Sequence, residues 1–451
     1  MTMSVDTPVA VLGAGLSGLA VSYHLQHRDT VIFEKEPYYG GHIHSETVDG
    51  FVWDDGPHIS FTSNKYVQDF LADMVDGAYE VVATKASNYY KGAWIAHPAQ
   101  VNLYQVPEPL RTACLDSFLA SRHLDGTPKD YREWIHMAFG EVFAETFPAA
   151  YTRKYWTVNP VDLATEWVGN RVMKPSVDEV VAGAKASIGL GTVHYAVNRQ
   201  SRYPTHGGFM AYTHKLARDA NLRLSCALAQ VTFGSRQLRF SDGAVVSYRR
   251  LVSTMPLKLL IRLSTDAPAA VREAAEKLTC THFLRVDVAV NHPARRPETW
   301  MYVYDEDKLS VRLSHMEHFS PNNAPPGCSA IQVEVYGSEY RAVPTDLDKV
   351  KSTVVAELVE MGLVDGPDAV RYVNATFVPQ GNPIFDHNRA GAMRTITEFL
   401  DRHGVLLVGR YAEHKYLMTD ACIISARRAA AAVRGVDPDS DASAVYLSAA
   451  G

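Results

Sequence analysis

Residues 9 to 34 constrain the fold of this chain more than any other stretch. Val9-Ala10-Val11-Leu12 is an apolar run of strand type, and Gly13-Ala14-Gly15-Leu16-Ser17-Gly18 after it is a G-x-G-x-x-G loop. A helix-like stretch follows, and Val31-Ile32-Phe33 is a second apolar run ending in Glu34. Each glycine has a physical reason. Gly13 permits a tight turn, Gly15 lets a pyrophosphate approach the backbone, and Gly18 lets helix and strand pack closely. The pyrophosphate then lies at a helix N-terminus, against free N–H groups and the positive end of the dipole. Glu34 stands where a carboxylate accepts hydrogen bonds from an adenosine ribose. The glycine pattern alone is a common turn; with strand, helix and acid around it, it predicts a dinucleotide site.

The 451 residues suffice for two cores, and a net charge of −6 offers no field for nucleic acid or anionic lipid. Cys114, Cys226, Cys280, Cys328 and Cys422 are scattered without a C-x-x-C pair. That odd set reads as reduced thiols of a cytoplasmic protein, not as a disulfide framework or zinc site. Residues 9 to 25 are apolar enough to suggest a signal sequence, but Asp6 precedes them and no positive n-region does. No uninterrupted apolar run reaches about 18 residues, so no membrane span is expected. No G-x-S-x-G elbow supports a serine hydrolase.

Along the chain the pattern reads as interleaved segments. Short strands are expected at Arg223–Cys226, Gln230–Phe233, Gln237–Phe240 and Arg250–Ser253. Residues 105–200 look like a mainly helical insertion. Residues 283–291 and 329–336 alternate polar and apolar, as in a half-exposed antiparallel sheet. Val405 to Val408 reads as a buried strand, Asp420 to Val433 as a tightly packed helix, and the tail after Gly435 as frayed. The fold class expected is α/β. A Rossmann-type domain is assembled from 1–85, 203–260 and 372–435. A mixed α+β substrate domain comes from 86–202 and 261–371, and a flexible tail from 436–451.

Two further stretches bear on the cofactor. Glu34-Lys35-Glu36-Pro37-Tyr38-Tyr39-Gly40-Gly41-His42 puts a glycine pair just after the ribose acid. Gly409-Arg410-Tyr411-Ala412-Glu413-His414-Lys415-Tyr416, then Met418-Thr419-Asp420, leads into the last helix. A second helix N-terminus is superfluous for NAD but suits a flavin, whose reduced ring carries negative charge near N1 and the C2 oxygen. No second G-x-G-x-x-G offers a pyridine-nucleotide site.

These segments resemble the FAD-containing clan of amine oxidases, protoporphyrinogen oxidases and UDP-galactopyranose mutases. The resemblance rests on Gly40-Gly41-His42, Asp54-Asp55-Gly56-Pro57-His58-Ile59, Tyr203-Pro204-Thr205-His206-Gly207-Gly208-Phe209, Val252-Ser253-Thr254-Met255-Pro256 and Gly409 to Asp420. It implies non-covalent FAD, a discontinuous FAD domain, and a backbone contact of Val231 to adenine. The cofactor set so expected is Gly13, Gly15, Gly18, Glu34, Lys35, Gly41, His42, Val231, Gly409, Arg410, Met418 and Thr419. Gly56-Pro57-His58-Ile59 and the run Val311 to Phe319 are similar to the mutase branch. Asn382-Pro383-Ile384-Phe385-Asp386 stands where that branch carries Tyr-Pro-x-x-Asp, so one phenol is missing.

His58 is the first candidate beside the flavin, as acid, base or hydrogen-bonding group; the bland alternative is a loop histidine capping backbone. Arg312, Asp386 and Arg389 complete the candidate catalytic set, the two arginines as bidentate anchors for an anionic substrate or simply solvated side chains. Arg410 is expected to reach the FAD pyrophosphate. His42 and His44 line the cleft, and His414 tunes the flavin, contacts substrate or fills space. Tyr155, Trp156 and Trp167 are core or substrate platform. A metal at His42, His44 and His58 is not favoured. Two reactions on a small-molecule substrate follow. The first is an oxidation that passes hydride to flavin N5. The second is a redox-neutral pyranose–furanose rearrangement of a nucleotide-linked sugar on reduced FAD, as in the mutases. A flavin-binding protein without catalysis is the remaining reading, and the oligomeric state stays open.

Overall fold

The computed structural model describes residues 4–169, 171–186 and 201–437. β1 (Ser4–Leu12) runs through a seven-stranded sheet. It lies parallel between β2 (Thr30–Phe33) and β13 (Val245–Ser253). β10 (Leu222–Arg223) extends the sheet beyond β2, while β12 (Gln237–Phe240) and β11 (Leu228–Thr232) extend it antiparallel beyond β13. β19 (Val405–Leu407) pairs parallel with the C-terminal half of β13. Both faces are covered, which is why β1 reads as a continuous apolar run. Val9, Val11 and Ile32 pack with Leu19 and Ala20 of the helix Leu16–His24 and with Ala426 and Ala430 of the helix Thr419–Arg434. Ala10, Leu12 and Leu251 pack on the other side with Ile396 and Phe399 of the helix Arg389–Arg402.

The second sheet has the order β18 (Val370–Val378), β14 (His282–Val290), β17 (Ser329–Gly337), β16 (Arg312–His315), β15 (Trp300–Val303), β7 (Ala86–Tyr90) and β8 (Ala93–Ala96). A hairpin of β3 (Ser45–Val48) and β4 (Phe51–Asp54) and a small sheet of β5 (Ser60–Phe61), β6 (Tyr79–Val81) and β9 (Ser201–Pro204) complete the strands. The stretch 86–202 thus opens with two strands of the second sheet, and β18 pairs with β14 and not with the dinucleotide sheet. The strand expected at Arg223–Cys226 ends at Arg223, and that at Arg250–Ser253 begins at Val245. The tail from 438 and residues 187–200 lie outside the described residues.

The alternation in β14 and β17 does not mean half exposure: all of β17 is buried, and all of β14 but His282. One face is apolar. There Leu284, Val286, Val288 and Val333 meet Val350, Val354 and Leu358 of the helix Leu347–Glu360. The opposite face is polar, with Phe283, Arg285 and Asp287 in register with Tyr336, Glu334 and Gln332. Burial of charge is tolerated because the groups are paired. Arg285 holds Asp287 and Asp55 and also Glu46, and Gln332 Nε2 donates to the Asp54 carbonyl at 2.8 Å.

Asp54 ties the hairpin to the segment 203–209. Its carboxylate accepts from Ser45 Oγ at 2.6 Å, Tyr203 OH at 2.8 Å and the Phe209 N–H at 3.0 Å. Burial pushes the Asp54 carboxyl up to about 6 despite these bonds. Asp54→Ala strands two buried donors and the half-buried Ser45 hydroxyl, so it is expected to lower the unfolding free energy by on the order of 3 kcal/mol in urea titration. An unchanged midpoint would remove Asp54 from the framework.

Candidate active site

The C-terminal end of β1 opens into the glycine loop, where the three glycines differ. A Cβ on Gly13 would lie 2.3 Å from Thr254 Oγ1, and one on Gly18 2.0 Å from the Gly13 carbonyl oxygen. Packing of the chain itself demands both. A Cβ on Gly15 would meet nothing closer than 3.7 Å. Nothing in the chain requires glycine there, so the constraint comes from what lies against it. The Gly40 N–H donates to the Ala14 carbonyl at 3.0 Å, and Gly41, at φ +57°, comes so near Gly15 that a Cβ would be 2.9 Å from its Cα. Two glycine loops therefore meet backbone to backbone over an open cradle.

Glu34 is buried and reaches back into the loop, its carboxylate accepting from the Ala14 N–H at 2.8 Å and the Glu36 N–H at 3.0 Å. Lys35 points outward and pairs with Glu36. The Val231 N–H and carbonyl are already engaged with Leu263 and Thr265, each at 2.9 Å, so an adenine there would share a carbonyl lone pair. Gly409, at φ +87°, passes so close to the first helix that a Cβ would sit 2.4 Å from Ser17 Oγ.

Arg410 is half-buried beside the start of the last helix. Its Nε donates to the Leu417 carbonyl at 2.8 Å and its Nη1 to Asn382 Oδ1 at 3.0 Å, while Nη2 lies 3.7 Å from Met418 Sδ. Among the described residues no carboxylate pairs with it. Met418 is the N-cap of the helix that begins at Thr419; its own side chain makes no cap bond, but the Asp420 carboxylate in the first turn accepts from the Ala421 N–H at 2.8 Å. The helix Leu16–His24 starts at Gly15 without a side-chain cap. An uncapped helix N-terminus at the open glycine cradle, and a guanidinium with no carboxylate partner beside the start of the last helix, suit a long cofactor with anionic centres at both positions.

His42 and His58 stand together between Arg410 and the second sheet. Their rings are 5.2 Å apart, edge to face; His42 lies 5.5 Å from Tyr411, and His58 stacks on Phe209 at 5.4 Å. The Gly56 carbonyl lies 2.7 Å from His58 Nδ1, which therefore carries the proton and leaves Nε2 as an acceptor. Burial, then the charge on Arg410, lowers His58 to about 3, and burial lowers His42 far below its ordinary value. Both rings stay neutral near pH 7 and are poor bases.

Opposite lies the polar sheet face. Arg312 is paired with Glu334, Nη2 to Oε1 at 2.8 Å, and Tyr336 OH donates to the same carboxylate at 3.1 Å. The helix Ala150–Tyr155 adds Tyr151 and Tyr155, stacked at 5.4 Å, and Tyr151 also stands edge-on to Tyr302 at 5.4 Å. Asn382 Nδ2 donates to Tyr155 OH at 2.9 Å, and Tyr416 OH lies 3.3 Å from it. The Tyr151 hydroxyl is buried without a partner. Burial raises Tyr151, Tyr155 and Tyr336 well above the usual phenol range.

Of the four residues expected to be catalytic, the structure brings His58 and Arg312 into this cleft. It gives Asp386 and Arg389 framework contacts. Asp386 accepts from the Asn388 and Arg389 N–H groups and from Tyr340 OH, at 2.9 to 3.0 Å. Arg389 is buried, bridging the His414 carbonyl at 2.6 Å to Glu166 at 3.1 Å. His414 is buried in the left-handed region, with Nε2 unpartnered and the ring lowered to about 3 by burial. Tyr151, Glu334 and Tyr336 escaped the sequence reading. The sequence does carry a signal for them in the i,i+4 spacing of Tyr151 and Tyr155 and the shared parity of Glu334 and Tyr336.

A glycine-loop sheet roofed by a second sheet with a polar inner face defines the fold of the FAD-binding, amine oxidase-type enzymes. The chain belongs to the family described as flavin containing amine oxidoreductase, whose model matches residues 16–434. Among solved structures it is similar to a reduced UDP-galactopyranose mutase, with 22% identity, 98% of each chain covered and a TM-score of 0.88. It is also similar to a putative protoporphyrinogen oxidase from Exiguobacterium sp. 255-15, with 16% identity, 96% of this chain and 99% of that one covered, and a TM-score of 0.72. A curated relative, the mitochondrial protoporphyrinogen oxidase of Nicotiana tabacum, is 40% identical over 69 residues, 15% of this chain and only 14% of its own length. Among the described residues no helix is long and apolar enough to cross a membrane.

The contrast between the glycines is testable. Gly15→Val is expected to give folded, colourless protein, because its side chain fills the cradle and not the core. A yellow Gly15→Val protein would refute the cradle's role.

Proposed function

We propose that the flavin is FAD and that the enzyme rearranges a nucleotide-linked sugar without net redox change, using reduced FAD. The observation that carries this reading is that, among the described residues, no group in the cleft is a ready proton acceptor. His42 and His58 are neutral and weakly basic, the tyrosines are held protonated, and Glu334 is committed to Arg312. Oxidation of an alcohol needs a base to take the hydroxyl proton. Oxidation of an amine would place a cation or its precursor beside Arg312 and Arg410, with Glu334 balancing only one of them. A ring rearrangement moves a proton from the hydroxyl that closes the new ring to the former ring oxygen and leaves no net proton for the protein to take up.

When bound and reduced, the flavin supplies an electron pair for the anomeric carbon and takes no net electrons. The residues of this chain do the rest. Tyr155, Tyr416 and Arg312 offer phenols and a guanidinium to the departing diphosphate, and His58 Nε2 accepts a hydrogen bond from a sugar hydroxyl. Asn382, which replaces the expected phenol, links Arg410 to Tyr155 and keeps both in place. The similarity to the mutase structure over nearly its whole length supports the same reading.

Hydride oxidation of a small polar metabolite is the second reading. It is favoured by the carboxylates already paired with Arg312 and Arg389, which leave a thin cationic clamp for a diphosphate. Incubation of anaerobically reduced protein with UDP-galactose separates the two. The proposal expects interconversion of ring forms only with reduced protein, the flavin remaining reduced throughout. Bleaching of the oxidised protein by a hydroxy or amino metabolite, with no isomerisation, would reverse the order.

A further inference from the structure

Lys154 is buried between the two aromatic residues that face the cleft, yet the chemistry above does not use it. Its Nζ donates to three backbone carbonyls, Asp305 at 2.6 Å, Ser310 at 2.7 Å and Val303 at 3.0 Å. These belong to the end of β15 and to the segment 304–310 that joins β15 to β16, the hairpin that carries Tyr302 and Arg312. The segment is pinned again from the other side. Glu357, on the helix Leu347–Glu360, accepts from the Leu309 N–H at 2.7 Å and the Ser310 N–H at 3.0 Å. Arg341 donates to the Lys154 carbonyl at 2.7 Å and to the Tyr336 carbonyl at 3.1 Å.

We propose that Lys154 is a positioning residue whose ammonium locks the segment 304–310 against the helix Ala150–Tyr155 and so holds Tyr151, Tyr155 and Arg312 in one arrangement. Three carbonyls need three N–H donors, and an ammonium has three. A neutral amine has two and a lone pair, so on deprotonation one carbonyl faces a lone pair and the segment shifts. The charged groups around Nζ are Glu357 from the helix, Asp305 and Asp307 from the segment, and Arg341 from beyond β17. Burial outweighs the three carboxylates and lowers the lysine to about 7. Between there and about 10.4, where an unfolded lysine titrates, the unfolded chain binds the extra proton, so stability rises with pH. The lock therefore opens locally, without unfolding.

This rests on the reading that the phenol face holds substrate, but the two fail separately, since the test below requires no substrate. Near-ultraviolet circular dichroism of the holoprotein in the tyrosine band is followed through neutral pH. The wild type is expected to show a one-proton transition with no loss of melting temperature on the alkaline side. Lys154→Met should show the alkaline spectrum at every pH, and Lys154→Arg, which stays charged, the acid spectrum. A wild type without a transition overturns the proposal. So does a transition that survives in Lys154→Met, which would belong to a buried carboxyl, Asp54 beside Tyr203 or Asp287 on the sheet face, raised by burial to about 6 and about 7. Should Lys154→Met not fold, a transition surviving in Lys154→Arg decides against it equally.

Discussion

Arg410 is held by a backbone carbonyl, an amide oxygen and a thioether, and among the described residues by no carboxylate. A guanidinium so placed retains a charge that no paired carboxylate balances, whereas the start of the last helix carries its own acceptor, the Asp420 carboxylate on the Ala421 N–H. The rest of the site follows from that excess. It helps keep His42 and His58 neutral, repels cationic substrates, and makes an anion the natural occupant of the adjoining space. The glycine loops are the complementary constraint, since they bring two stretches of backbone close enough to leave a cradle at Gly15.

The second sheet turns this anion site into a chemical cleft. Its strands place apolar residues against one helix and charged or phenolic residues over the first domain, by the period of two alone. Burying such a face costs desolvation, offset here by pairing: Arg285 with three carboxylates, Arg312 with Glu334. Their pairing also removes them from proton transfer. The same interactions that let the face be buried thus leave Arg312 and Glu334 engaged with each other.

Much of the dinucleotide unit was legible because local physics fixes it. Gly13 and Gly18 are required by contacts of under 3 Å within the chain, and β1 is apolar on both faces because helices cover both. The polar sheet was misread as half-exposed because alternation reports two different faces, not which of them meets water. What covers Glu334 and Gln332 comes from Asp54 to Gly56, far away in sequence. Arg389 suits an anion by residue type, and Asp386 stands in the Asn-Pro-x-x-Asp run that is similar to the mutase pattern; neither signal reports framework contacts. Their partners, Tyr340, Glu166 and the His414 carbonyl, come from three other segments that no motif announces.

Arg410 is predicted to hold the reduced flavin as an anion. The pH dependence of the bound flavin's two-electron potential, measured on the acid side of neutrality, tests it most directly. An anionic reduced flavin takes up one proton with two electrons, and the potential is predicted to fall by about 30 mV per pH unit. A slope of about 60 mV, which means two protons and a neutral reduced flavin, would contradict the account.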